Sequence, residues 1–106
     1  MNNLFKKCDI AYINKQIEHY ENILDDIRYL KSSIEEALNK NETIANSRYS
    51  NTSALAKKIG FKVDYGMGLH CTDWFEIDKN HIKELYKYEE EIKNEIKKLE
   101  AKVNKL

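Results

Sequence analysis

The chain has no proline and only three glycines in 106 residues. Proline stops helices and glycine loosens them, so little here interrupts regular helix. Two cysteines, Cys8 and Cys71, are too few for a disulfide framework. Neither sign of charge is in excess, with 18 basic and 18 acidic residues, which argues against a protein that coats a nucleic-acid duplex or an acidic membrane without specificity. No apolar run approaches the ~18–20 residues of a membrane span, and no apolar stretch follows Lys6 and Lys7 as a signal peptide would need. A soluble protein in a reducing cytoplasm is expected. Also missing are a P-loop, a G-x-S-x-G elbow and a dinucleotide fingerprint; Gly66-x-Gly68 alone carries little.

What is present is 42% hydrophobic and 34% charged, with a mean hydropathy of -0.74. That combination describes a folded chain with long helices and solvated outer faces, rather than disorder. One domain is expected over residues 1–106, with a modest core. Asn, Ile, Lys, Tyr and Phe make up nearly half of the chain, and A/T-rich codons encode all five. The composition points to an AT-rich genome: a low-GC bacterium, or its phage or plasmid.

From Asp9 to Asn41 apolar residues recur at spacings of three and four. Ile10, Ile13, Ile17, Tyr20, Leu24, Ile27, Ile34 and Leu38 form one stripe, interrupted by Lys31 and Asn41. This predicts a helix over 9–41, roughly 50 Å long, with Asp9 as its N-cap. Ile23, Leu30 and Ala37 widen the stripe in the second half, which should therefore meet a further neighbour. Residues 80–106 repeat the pattern with Ile82, Leu85, Ile92, Ile96, Leu99, Val103 and Leu106, broken by Glu89; Asp78 or Asn80 caps the start. The two helices are expected to pack as an antiparallel hairpin, a homodimeric coiled coil or both. The seam would comprise Ile10, Ile13, Ile17, Leu24, Ile27, Ile34, Ile92, Ile96, Leu99 and Val103. Lys31 and Glu89 fall on that seam, and snorkelling to water is the simpler expectation than a mutual pair.

The head, residues 42–79, differs. Glu42–Ser53 is polar and reads as loop. Thr52 or Ser53 then caps a short helix that ends at Gly60. Phe61, Val63 and Tyr65 alternate with polar residues up to Gly66-Met67-Gly68, and Leu69, Cys71, Phe75 and Ile77 share a face beyond it. This predicts a β-hairpin. The fold class expected is thus mainly α: two long heptad-patterned helices bracketing a short helix and a hairpin.

Residues 43–63 hold Arg48, Lys57, Lys58 and Lys62 without a single acid. Ala54–Phe61 resembles the first half of a helix-turn-helix, but no second helix follows Gly60. A winged variant would use the short helix as reader and the hairpin as wing, although the unbroken first helix argues against it. The bland alternative is a solvated basic face. Trp74 lies on the strand face opposite Phe75, so it either packs on the helices or stands out as an aromatic anchor. Tyr65, Trp74, Tyr86 and Tyr88 are candidates for one aromatic patch. His70, Cys71, Asp73 and His81 are metal-ligand types without paired ligand spacing, so no metal is expected. Consecutive acids such as Asp25-Asp26 and Glu89-Glu90-Glu91 diverge by about 100° on a helix and cannot share a substrate.

The reading that follows is a non-catalytic binding protein without a cofactor, engaging a macromolecular partner and modulating or inhibiting it. A phage or plasmid inhibitor of host nucleic-acid machinery fits the composition. The binding residues would be Arg48, Lys57, Lys58, Lys62, Tyr65 and Trp74. The alternative is a homodimeric winged-helix-like DNA-binding regulator, and the third is a self-assembling structural coiled coil.

Overall fold

The computed structural model describes residues 3–47, 49–66 and 72–106, with side chains from Lys6 onward. The element order is α1 (Asn3–Asn39), β1 (Ile44–Ser47), α2 (Ser50–Ile59), β2 (Val63–Asp64), β3 (Asp73–Glu76) and α3 (Lys79–Lys105). Two long helices therefore bracket a short helix and a small antiparallel sheet, as the heptad pattern predicted. No helix among the described residues is long and apolar enough to cross a membrane.

The first helix begins six residues before the expected cap. Asp9 is an exposed interior position of α1, because nothing between Asn3 and Cys8 opposes helix. At the other end Asn41 adopts a left-handed φ of 56°. The Glu42 amide donates back to the Ala37 carbonyl at 2.9 Å, which closes the helix and turns the chain toward the sheet. In α3 the Asp78 carboxylate accepts from the Asn80 amide at 2.8 Å, the expected N-cap.

The long helices run antiparallel. Lys31 meets Glu89 midway, while Asp9, Tyr12 and Ile13 share a depression with Lys102, Lys105 and Leu106 at the far end. Of the expected seam, Ile27, Ile34, Ile92, Ile96 and Leu99 are buried; Ile10, Ile13, Ile17, Leu24 and Val103 are partly covered. Leu38, on the same stripe, is exposed. Lys31 and Glu89 do not go separately to water. They pair at 3.2 Å, because each is held on the seam opposite the other.

The third neighbour of α1 is the head. Leu30 and Ala37 are buried in one cluster with Ala45, Leu55, Ala56, Phe61, Phe75 and Leu85. Part of the segment read as loop is strand: β1 pairs antiparallel with β3, in the sheet order β1-β3-β2. Ile44–Ser47 has little strand character of its own. It is drawn in by the free edge of β3, which satisfies its backbone. Ala45, Phe75 and Val63 lie side by side on the face toward the helices; Asn46, Trp74 and Asp64 lie side by side on the other.

Thr52 and Ser53 do not cap α2. The helix starts at Ser50 with Tyr49 in the cap position, and the Ser53 amide already bonds to the Tyr49 carbonyl at 3.0 Å. Both hydroxyl residues are buried instead, Ser53 against Ser47 and Asp73 of the sheet. Gly60 ends the helix as expected, at a left-handed φ of 118°.

Candidate functional site

The basic face is built by α2. Ser50, Asn51, Ala54, Lys57 and Lys58 are all exposed, at spacings that place them on one side, while Thr52, Ser53, Leu55 and Ala56 are buried on the other. Lys57 and Lys58 occupy the last turn, where the helix dipole favours cations even without a ligand. Among the described residues neither lysine, nor Lys62, pairs with a carboxylate. Lys58 donates to the Tyr88 hydroxyl at 3.1 Å and lies 4.7 Å from that ring's centre, and Lys57 lies 5.9 Å from the centre of Tyr65. Arg48 falls outside the described residues.

The aromatic candidates do not form one patch. Tyr65, Tyr86 and Tyr88 each associate with a different lysine, Tyr86 with Lys31 at 4.8 Å, and among the described residues no ring–ring contact joins these tyrosines to one another or to Trp74. Trp74 stands apart on the outer face of the sheet. It is 45% exposed, beside Ile44 at 46%, and its neighbour Phe75 is sealed in the core. Strand alternation dictates this opposition. Trp74 and Ile44, with Asn41, Glu42, Thr43 and Asp64, line an open depression of about 600 Å³. Ile44 and Glu42 are the functional candidates missed in the sequence, since they gain a shared surface with Trp74 only when β1 joins the sheet.

A second constellation ties the head together. The Ser53 hydroxyl is 2.6 Å from Asp73 Oδ2 and 2.8 Å from the Ser47 hydroxyl, and Asp73 Oδ1 accepts the Gly66 amide at 2.8 Å. Ser53 has one proton, and the shortest contact assigns it to the carboxylate. The Ser47 proton then goes to Ser53. The Ser53 hydroxyl and the Gly66 amide hold the Asp73 carboxyl below its ordinary range, against a smaller opposing effect of burial. The cluster binds α2 to β1 and β3. Among the described residues no three metal-ligand side chains converge. Asp73 is used in this clamp, His81 packs edge-on against Phe61 with its Nδ1 3.3 Å from Asp78, and His70 and Cys71 fall outside the described residues.

Compared with known protein families, curated proteins and solved structures, the chain matches none.

Proposed function

We propose that this chain is a non-catalytic binding protein whose head engages a protein partner and modulates or inhibits it. The observation that carries the reading is Trp74. A large aromatic side chain stands on the outer face of a sheet whose other face is core, half open to solvent beside an equally exposed isoleucine. Such anchors contribute disproportionately to interfaces because they bury much area and lose little conformational freedom. The finer reading, a phage or plasmid inhibitor of host nucleic-acid machinery, draws on the AT-rich composition. A photo-crosslinking amino acid at position 74, in the chain expressed in its host, tests the proposal. One discrete protein adduct is expected from position 74 and none from position 98 on the far part of α3. Equal diffuse labelling from both would refute it.

The second reading, a DNA-binding regulator, is favoured by the acid-free exposed face of α2 beside the hairpin. A mobility shift at two salt concentrations tests it. No shift at low salt, or a shift unchanged by Lys57→Glu with Lys58→Glu, excludes it. A homodimer is supported by the incomplete cover over Ile10, Ile13 and Ile17, with Tyr12 and Leu106 exposed nearby. Light scattering after size exclusion gives the mass that decides it.

A further inference from the structure

We infer that the Trp74 face receives an arginine-bearing segment of a protein partner, its guanidinium lying on the indole beside the Asp64 carboxylate, with Glu42 at the rim of the same depression. This rests on the binding reading above and adds the chemistry of what is bound. Asp64 is the cross-strand neighbour of Trp74, and both line the depression together with Glu42 and Ile44. No lysine or arginine lines it; Lys40, in the adjoining groove that shares Glu42, Ile44 and Trp74, is paired with Glu36 at 3.3 Å. Its walls are fixed: the Glu42 amide is tied to Ala37, and the Thr43 carbonyl accepts the Ile77 amide at 2.8 Å.

Two features of the depression suit a cation. First, its two carboxylates, Asp64 and Glu42, take part in no ion pair among the described residues, as is true of most acids of this chain. Second, four tyrosines lie by the chain's own cations, although the more exposed Tyr12 and Tyr49 do not. Arg28 lies by Tyr29, Lys31 by Tyr86, Lys57 by Tyr65 and Lys58 by Tyr88. Trp74 offers the strongest such surface of any side chain, and among the described residues no cation lies over it.

Arginine fits better than lysine. Its planar guanidinium stacks on an indole while its edge donors reach the neighbouring Asp64 carboxylate, and Ile44 can cover the aliphatic stem. Nucleic acid suits the site poorly, because a base stacked on Trp74 would bring its phosphates toward two carboxylates.

Trp74 is the only tryptophan, so its emission reports on this site alone. The full chain is titrated with acetyl-Gly-Arg-Gly-Arg-Gly-amide, with the same peptide carrying citrulline in place of arginine, and with a thymidine oligonucleotide. A saturable emission change with the arginine peptide is expected, about tenfold weaker with citrulline and weakened by added salt. Asp64→Asn and Glu42→Gln should each reduce affinity by about three- to tenfold, with an unchanged melting temperature. Equal response to citrulline and arginine, indifference to both acid variants, no response at all, or preference for the oligonucleotide would each overturn the inference. So would saturation that appears only after Arg48→Ala, since this chain's own arginine would then be the occupant. A protein adduct from position 74 without any response to arginine peptides would overturn this inference and leave the binding reading standing. Absence of both would remove both.

Discussion

Lys31 Nζ lies 3.2 and 3.3 Å from the two carboxylate oxygens of Glu89, across the seam between α1 and α3 and 58 residues away in the chain. Their side chains are only 27% and 15% exposed, and the lysine also lies over Tyr86. A pair so placed aligns the two helices at one register, because sliding either by a turn would strand a charge among apolar residues.

Removing one partner should therefore cost more than removing both. Lys31→Met alone leaves a poorly solvated carboxylate, with Lys93 at 4.0 Å as its remaining partner, and is expected to cost about 1–2 kcal/mol. Lys31→Met with Glu89→Leu should recover most of that loss. Urea unfolding of the two single variants and the double variant measures the coupling. Strictly additive losses would show that the pair contributes no register energy.

Two adjacent aromatics should behave in opposite ways. Phe75→Ala opens a cavity among Ala45, Phe61 and Leu85 and is expected to cost about 3–5 kcal/mol. Trp74→Ala should change stability by less than about 1 kcal/mol while weakening partner capture. Thermal melts and the crosslinking yield separate the two effects.

Gly60 is required twice over. Its φ of 118° disfavours any side chain, and a Cβ there would stand 2.7 Å from the His81 ring. Gly60→Ala is expected to cost about 2 kcal/mol or more. In a His81→Ala background the steric part disappears, and the penalty should fall to the backbone part, about 1 kcal/mol. Equal penalties in both backgrounds would show that the ring moves aside freely.

Asp73 and Asp26 should shape the acid limb in opposite senses. Asp73 is lowered from 3.8 by the Ser53 hydroxyl and the Gly66 amide, so its contribution is full above that value and disappears as pH falls through its folded pKa. Ser53→Ala should move the Asp73 carboxyl resonance back toward the ordinary midpoint in an NMR titration. Asp26 is raised by burial and then by the neighbouring Asp25. Its ionisation is harder in the folded chain, so Asp26→Asn should stabilise at neutral pH and have no effect below both pKa values.

The alternation from Phe61 to Tyr65 and around Phe75 already placed Phe75 inward and Trp74 on the opposite face, because a strand's two faces are set by parity alone. Left-handed closure at Gly60 and capping by Asp78 are equally local, and both were readable. By contrast, the expected caps at Asp9, Thr52 and Ser53 failed although these residue types suit caps. A cap forms only where the helix begins, and the partners of the neighbouring segments decide that. Ser53 shows why: its hydroxyl is committed to Asp73, twenty residues onward, which no local preference contains.

By itself, then, the sequence determined the two long helices and the head between them, since period and breakers act within a few residues. Tertiary structure decided where the widened stripe of α1 is buried, that Lys31 and Glu89 pair, and that Ile44–Ser47 becomes a strand. Each of these depends on groups far apart in the chain satisfying one another's charge, apolar surface or hydrogen bonds. The surface around Trp74 belongs to the same class, because its Ile44 and Glu42 walls exist only once β1 has found β3.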